Sequence, residues 1–292
     1  MHSILTFAGG IRGIGSRDRQ PSAVGSAPPA RRGPVAPTPF ALWVSLLACV
    51  VATARGPVLV AASLPTIPSA AQVLSNQVEL IGGREAWGKH NSIHLKGTWD
   101  VPGMGLSGPL NIYRAKPNKY LLKADVPGFE SQVGFDGQVG WSSNAKLGPD
   151  PQLLEGQPLA QLRLEADFFS DVAGTNDLRS AVNAGMAQFE GKSCYKLNVV
   201  TKAGVPLTAF FDQKTGLAAG VTLSIDAPQG KIPLTVIVAE HRQFGGLLFA
   251  TKITRRTAGI QEVMRITSVE FDKVPDSVFA APAAVKAKSL LK

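Results

Sequence analysis

Apolar and polar residues alternate along most of the chain beyond residue 92. In the run "SIHLKGTWDV", residues 92–101, every second position from Ile93 to Val101 is apolar or glycine, and the positions between them are polar. A period of two is typical of a strand with one buried and one solvated face. Similar runs predict further strands at residues 108–115, 119–126, 130–135, 139–142, 182–189, 194–201, 206–212, 217–227, 232–242, 248–257 and 260–271. Their short connections favour an antiparallel meander, since a parallel crossover needs about a dozen residues or more.

Two segments have the period of a helix instead. After Ser69, a residue suited to cap a helix, apolar side chains recur at helical spacing from Val73 to Ile81, and Gly82 favours the end of the helix. A further short turn carries Trp87. The second segment has one apolar stripe, which consists of Leu159, Leu162, Ala166 and Phe169.

These elements predict one mainly β domain over residues 63–292. A sheet of about eleven or twelve twisted strands tends to curl. A curled sheet has a concave face that other elements have to cover. We therefore predict a large curled antiparallel sheet with two short helical elements over its concave face.

Residues 103–108, "GMGLSG", match the glycine pattern G-x-G-x-x-G of dinucleotide-binding loops. That pattern binds a pyrophosphate only where the glycines open a helix, because the free N–H groups of the helix N-terminus hold the anion. Here residues 109–115 alternate with a period of two, and Pro117 follows them. The glycines are therefore predicted to connect two antiparallel strands, without a nucleotide site.

Residues 1–62 differ in composition from the rest of the chain. They contain six arginines and one acidic residue, and a stretch rich in Gly, Pro, Ser and Arg precedes an uncharged apolar run at residues 40–54. That run is short for a membrane-spanning helix, which needs about 20 residues, and is typical of a signal peptide followed by small residues. We interpret residues 1–62 as a disordered basic leader with a signal peptide, which predicts an exported, periplasmic protein. The alternative is an uncleaved membrane anchor.

Cysteine occurs twice in the sequence. Cys49 follows "SLLA", which approximates the lipobox of bacterial lipoproteins, so lipidation of Cys49 is an alternative to a role as a small apolar residue of the signal helix. Cys194 lies in a predicted strand and has no partner once Cys49 is removed or lipidated. We therefore expect a buried thiol and no disulfide in the mature chain.

Candidate catalytic and metal-binding groups are sparse. His90 and His94 are four residues apart, but His94 belongs to a strand and His241 is distant in sequence, so no metal site is predicted. The nucleophile motif G-x-S-x-G is absent from the sequence, and the acidic residues are scattered. Arg255 and Arg256 are interpreted as part of a solvated turn, and contact with lipid head groups is the alternative. We expect no catalytic residue, no cofactor and no enzymatic activity.

The net charge of +9 does not indicate a nucleic-acid partner. More than half of that charge lies in the leader, and residues 63–292 carry a net charge of only +4, without a basic run. A face that binds phosphate backbones needs clustered positive charge. Nucleic acid is therefore not expected as a partner.

Several motifs occur together in the order found in a known group of proteins. They are "GGREAWGK", "GTWDVPGMGLSGPLNIYRAKPNKYLL", "GFDGQVGWS", "LRLEADF", "FFDQKTGL", "HRQFGGLLFATKI" and "VEFDKVPDSVFAAP". In this order they resemble uncharacterised exported bacterial proteins similar to outer-membrane lipoprotein-sorting proteins, the LolA-like group, over residues 68–282. The resemblance implies an unclosed β-barrel with helices over its mouth. It also implies an apolar cavity that takes acyl chains or other hydrophobic ligands.

The alternation nominates residues for such a cavity, one from each of several strands. These residues are Trp99, Phe135, Trp141, Leu197, Phe211, Leu223 and Val236. The alternative is that these side chains pack against the two helices and leave no space.

Together these observations predict an exported, monomeric, non-enzymatic carrier or binding protein of the bacterial cell envelope, with a lipid, acylated or other hydrophobic ligand. Envelope lipoproteins and a membrane surface are further candidate partners. The alternative is an envelope sensor or scaffold whose curved sheet binds a protein partner. A ligand retained through purification favours the carrier, whereas a packed interior with an exposed apolar patch favours the scaffold.

Overall fold

A computed structural model of the protein describes residues 67–128, 130–144, 148–227 and 230–291. In these ranges the chain forms 13 strands and four helices. The helices are α1 (Ala70–Leu80), α2 (Gly83–Gly88), α3 (Gly156–Ala166) and α4 (Ala283–Leu290). The strands are β1 (Ser92–Val101), β2 (Leu106–Ala115), β3 (Lys119–Ala124), β4 (Ser131–Phe135), β5 (Gly140–Asn144), β6 (Gly148–Leu153), β7 (Leu178–Phe189), β8 (Lys192–Thr201), β9 (Pro206–Asp212), β10 (Ala218–Ala227), β11 (Gly230–Phe244), β12 (Leu247–Thr257) and β13 (Ile260–Phe271). Short 3₁₀ turns lie at Pro102–Met104, Ser170–Val172 and Asp276–Phe279.

All of these strands belong to one antiparallel sheet. Their order is β6-β5-β4-β3-β2-β1-β13-β12-β11-β10-β9-β8-β7. Because β1 pairs with β13, the strands β1–β6 and β7–β13 extend from the centre of the sheet in opposite directions. Within the described ranges β6 and β7 are the two edges, so the sheet is not closed into a barrel. The predicted fold class, a large open antiparallel sheet, is confirmed.

The concave face of the sheet carries the main apolar core. Buried side chains from both wings contribute to this core, for example Phe135 of β4 and Phe211 of β9. Helices α1 and α3 cover the core, with Leu74 and Leu162 among the buried contacts. A second apolar cluster lies around Trp87 of α2. The predicted helices therefore cover the concave face.

The opposite, convex face is covered in part by the C-terminal segment, which the sequence pattern did not predict. Val285 of α4 and Phe279 of the preceding turn pack with Leu121 and Trp141. Gly134 pairs with Trp141 across β4 and β5, and a Cβ at this glycine would overlap the indole ring. Glycine therefore gives Trp141 the room it needs. Helix α4 is therefore an addition to the predicted elements, and it lies on the convex face.

Strand β6 was also absent from the sequence prediction. Its sequence "GPDPQL" contains Pro149 and Pro151, and proline usually excludes a strand because it has no N–H to donate. β6 is an edge strand, where the side of the backbone without a neighbour needs no N–H donor. Its other side pairs with β5, and Leu153 lies opposite Trp141.

Two local predictions are confirmed, the cap at the start of α1 and the glycine connection between β1 and β2. Ser69 caps α1: its Oγ accepts a hydrogen bond from the Gln72 N–H at 3.2 Å, and Gln72 Oε1 accepts one from the Ser69 N–H at 2.7 Å. The glycine segment joins β1 to β2, with Val101 paired to Leu106 across the turn. Gly105 has a φ of 63°, in the left-handed region that favours glycine. A strand follows these glycines where a nucleotide site requires a helix.

Candidate functional site

A cavity of about 80 Å³ lies at the centre of the concave face. Its walls come from α1, α2, the central strands β1–β3 and β10–β13, and the turn Ser170–Val172. Most of the lining side chains are apolar: Ile81, Trp87, Ile93, Leu95, Ile112, Ala218, Val238, Leu248, Phe249, Ala250, Ile253 and Ile266. A cavity of roughly 150 Å³ is large enough for benzene. The cavity in this conformation is smaller than that, so a long acyl chain does not fit in it.

One wall of the cavity is polar and contains Arg114 of β2 and Asp171. The guanidinium is buried, and Nη1 pairs with Asp171 Oδ2 at 2.6 Å. Nη2 donates to the carbonyl oxygens of Asp167 at 2.8 Å and Phe168 at 3.2 Å. The planar guanidinium holds several acceptors at once in a fixed geometry. Arg114 therefore fixes residues 167–171, the segment after α3, against the sheet.

Helix α2 contacts Lys116, which follows β2, and Phe169 of the segment 167–171. Lys116 Nζ donates to the carbonyl oxygen of Gly88, the last residue of α2, at 2.7 Å. The guanidinium of Arg84 lies 4.3 Å from the ring centre of Phe169, a distance typical of a cation–π contact. We call α2 and residues 167–171 together the cover of the cavity.

Three other polar side chains line the cavity, those of Gln77, Tyr120 and His241. Gln77 of α1 accepts a hydrogen bond from the Ala218 N–H at 2.7 Å, which attaches the helix to β10. His241 of β11 is half-buried. Burial lowers the pKa of His241, and the charge of Lys192 lowers it further. The imidazole is therefore neutral near pH 7.

The seven residues predicted for the cavity do not line this space. Five are buried in the main core of the concave face: Trp99, Phe135, Leu197, Phe211 and Val236. Leu223 is half-buried against the same core. Trp141 lies on the convex face with α4, so the expectation that it faces inward with the others is wrong. As ligand contacts these residues remain predictions.

The polar wall was missed by the sequence prediction, although one signal for it exists. Arg114 follows Leu110 and Ile112 at alternate positions of β2, and all three side chains are buried. A charged residue in phase with buried apolar residues is unusual, because burying a charge is costly unless it is paired. The period of two therefore contains the information that Arg114 faces inward.

The prediction that Arg255 and Arg256 form a solvated turn is wrong for Arg255. Arg256 is partly exposed, and its Nη1 lies 2.9 Å from Glu190 Oε1. Arg255 is 2% exposed on the concave face and forms an ion pair with Glu262, which is 4% exposed. The turn begins only after Thr257. Arg255 is therefore inside the sheet, where alternate residues face the core.

The other candidate groups have structural partners. His90 Nδ1 lies 2.9 Å from Asp272 Oδ2, and His94 Nε2 lies 2.9 Å from Asn111 Oδ1. Cys194 is buried beside aromatic rings, as expected. Burial raises the pKa of the Cys194 thiol, and the charge of Asp212 raises it further.

Two searches of the described ranges bear on function. Among these residues there is no group of three or more His, Cys, Asp or Glu side chains that could hold a metal ion. No helix in the same ranges is long and apolar enough to cross a membrane. The predicted leader, residues 1–62, and the lipidation candidate Cys49 lie outside the described residues.

Comparison with known proteins places the fold beside several solved structures. No family model and no curated protein matches the sequence. A LolA superfamily protein from Nitrosomonas europaea is 12% identical, with 74% of this chain and 99% of that chain covered and a TM-score of 0.48. A DUF1329 family protein from Desulfovibrio piger is 12% identical, with 72% and 97% covered and a TM-score of 0.49. An outer membrane lipoprotein-sorting protein domain from Vibrio parahaemolyticus is 11% identical, with 76% and 97% covered and a TM-score of 0.46.

LolA superfamily and lipoprotein-sorting proteins are thus among the matches, as the resemblance in the sequence implies. Because the identities are low and the three TM-scores are below 0.5, no activity or ligand follows from these matches.

Proposed function

We propose that the protein is an exported, non-enzymatic carrier or binding protein for lipid, acylated or other hydrophobic ligands of the bacterial cell envelope. The observation that carries this proposal is the mostly apolar cavity at the centre of the concave face, with Arg114 in its one polar wall. Binding sites for small molecules are generally concave and apolar, with a few polar groups that orient the ligand. The apolar run at residues 40–54, typical of a signal peptide, supports export.

A long acyl chain needs more room than the cavity has in this conformation, so the proposal requires part of the molecule to move. The strands are held by continuous backbone pairing. The cover is attached by the side chains of Arg114 and Lys116, by one backbone hydrogen bond from the Phe168 N–H to the Pro117 carbonyl oxygen, and by the apolar packing of Trp87 and Phe168. Its displacement breaks no strand pairing, so it costs less free energy than opening the sheet. We infer that ligand entry displaces the cover and enlarges the space beneath it.

The proposal is tested by titrating the folded protein with long-chain ligands and following tryptophan fluorescence. Trp87 lines the cavity, so a ligand there is expected to change the emission saturably. The substitution Ala250→Leu adds bulk to the cavity lining and is expected to weaken binding about tenfold. Ala239→Leu is the matched control, because it adds the same bulk to the neighbouring strand β11. Ala239 follows the inward-facing Val238, so its side chain lies on the opposite face of the sheet.

A parent protein that is folded but shows no saturable response to any long-chain ligand contradicts the carrier proposal. Equal loss of binding in Ala250→Leu and Ala239→Leu contradicts the location of the site. The first result favours the alternative, an envelope sensor or scaffold. One observation supports that alternative: the edge strand β7 exposes Val182 and Met186, which are 62% and 66% accessible.

A further inference from the structure

The concave core contains a charged pair that the cavity itself does not use. Arg255 of β12 and Glu262 of β13 lie opposite each other, and both side chains are almost completely buried. Arg255 Nη1 and Glu262 Oε2 are 3.1 Å apart. On its other side Arg255 pairs with the buried Val236 of β11. The pair is therefore an island of charge on an apolar surface.

Two buried polar atoms in this part of the core, Nε of Arg255 and Nε1 of Trp99, have no hydrogen-bond partner among the described residues. Nη1 of Arg255 and Oε2 of Glu262 face each other in the ion pair. Trp99 lies opposite Met264, the next inward-facing residue of β13 after Glu262. A buried polar atom without a partner destabilises the folded state, and such atoms are rare in folded proteins. Two donors are thus unpaired here, and the carboxylate of Glu262 has further lone pairs that accept a hydrogen bond from a hydroxyl group.

The position of the island relates it to the cavity. Ile253 is the next inward-facing residue of β12 beyond Arg255, at a distance of about 7 Å along the strand, and Ile253 lines the cavity. On the side of the island away from the cavity, the core ends in apolar side chains that are only half-buried: Leu106, Leu223, Ile225 and Ile260. The polar island therefore lies between the cavity and the more open end of the concave face.

The charges around the Arg255–Glu262 pair determine whether a charged or a neutral ligand group binds there. Glu165 of α3 is buried as well, and its negative charge acts on Arg255 together with that of Glu262. Burial lowers the pKa of Arg255, and these two carboxylates oppose that shift. One guanidinium among two acidic side chains offers no excess positive charge to a carboxylate or a phosphate. A neutral group that both donates and accepts hydrogen bonds meets the available atoms without bringing a charge into the core.

We propose that Arg255, Glu262 and Trp99 bind the uncharged, hydroxyl-bearing head group of an amphipathic lipid whose acyl chain occupies the cavity. This inference rests on the proposed function, since it assigns the class of ligand to the same concave site. A chain that reaches past Ile253 into the cavity has its polar end beside Arg255, at the half-buried end of the core. The ion pair then orients the ligand, and its charges remain compensated in both the free and the loaded protein.

The experiment compares three probes that share one oleoyl chain: 1-monooleoylglycerol, methyl oleate and oleate. Binding to the parent protein is measured by competition against one fluorescent acyl probe. We expect monooleoylglycerol to bind at least about tenfold more tightly than methyl oleate, which has no hydroxyl group, and more tightly than the anionic oleate. This comparison needs no substitution, so it does not depend on the folding of a variant.

Substitutions then test whether Arg255 and Glu262 cause the preference for monooleoylglycerol over methyl oleate. The double variant Arg255→Met, Glu262→Leu replaces the pair by apolar side chains of similar size, an exchange that buried ion pairs often tolerate. It is expected to bind monooleoylglycerol and methyl oleate equally, with methyl oleate binding unchanged. Arg256→Met is the matched control, because the adjacent arginine is partly exposed and pairs with Glu190. The single variant Glu262→Gln, which keeps the shape of the side chain, is expected to reduce the preference.

The outcomes separate this inference from the proposed function. Equal binding of methyl oleate and monooleoylglycerol to the parent protein, or tightest binding of oleate, overturns the head-group site while the carrier function stands. A preference that persists in the double variant overturns the assignment to Arg255 and Glu262. Absence of binding for all three probes overturns the carrier function itself.

Discussion

His241 gives the stability of the protein a dependence on pH. Its pKa in the folded state is below the ordinary value of about 6.5, because burial and the charge of Lys192 disfavour the protonated ring. Between the two pKa values the unfolded chain binds more protons than the folded chain. The free energy of unfolding therefore falls as the pH falls through that range. In urea titrations we expect a lower midpoint at about pH 5 than at about pH 7.5.

The variant His241→Gln is expected to reduce this difference between the two pH values. His94→Gln is its matched control, because His94 lies outside the cavity and bonds to Asn111. A pH difference of the same size in His241→Gln and in the parent protein would show that His241 does not carry the effect.

The sequence predicted which apolar residues face inward, but it did not predict the buried charged residue Arg255. Alternation along β8 and β11 correctly places Leu197 and Val236 in the core. The same rule applied to β12 places Arg255 in the core. The sequence analysis assigned Arg255 to a solvated turn instead, because a charged residue near a turn is usually exposed. The burial of Arg255 depends on Glu262, which follows it by seven residues and meets it only when the hairpin forms.

At the scale of the element, α4 is expected to stabilise the protein without contributing to the ligand site. Val285 is completely buried against the convex face, together with Trp141. Val285→Ala removes apolar contacts there and is expected to lower the free energy of unfolding by about 2 kcal/mol. Affinity for long-chain ligands is expected to stay unchanged below the denaturation midpoint, because the cavity lies on the other face.

Chemical denaturation and ligand titration of the same Val285→Ala preparation check this prediction. For Ala250→Leu we expect the opposite result, a lower affinity for the ligand and a free energy of unfolding close to that of the parent protein. A loss of affinity in Val285→Ala that matches the loss in Ala250→Leu would contradict the separation of the two faces.

Elements with a clear period were predicted from the sequence, and those defined by tertiary contacts were not. The bounds of β9 and β13 agree with the predicted runs. β6 has two prolines, and only its place at the edge of the sheet permits a strand. In α4 a single side chain, Val285, is buried, so the short segment has little amphipathic signal. Its position follows from Trp141 and Leu121, which are distant in sequence.

At the scale of the whole molecule, the sheet explains why the fold was more predictable than the site. An antiparallel meander pairs sequence neighbours, and within the described ranges every strand pair except β1–β13 is of this kind. The cavity lies where α1, α2 and both wings meet. Its lining depends on how residues far apart in sequence pack, which a period of two or 3.6 does not encode.

The central claim is that the concave face holds a hydrophobic ligand in an exported protein. The most direct measurement is native mass spectrometry of the protein produced with its complete leader and purified from the bacterial envelope without detergent. We predict a mature chain that starts near Arg55 or Ser63, or at a lipidated Cys49, with an additional mass of bound lipid that is lost on denaturation. An intact chain that still contains Met1, or a folded protein that stays free of ligand after incubation with an envelope lipid extract, would contradict this account.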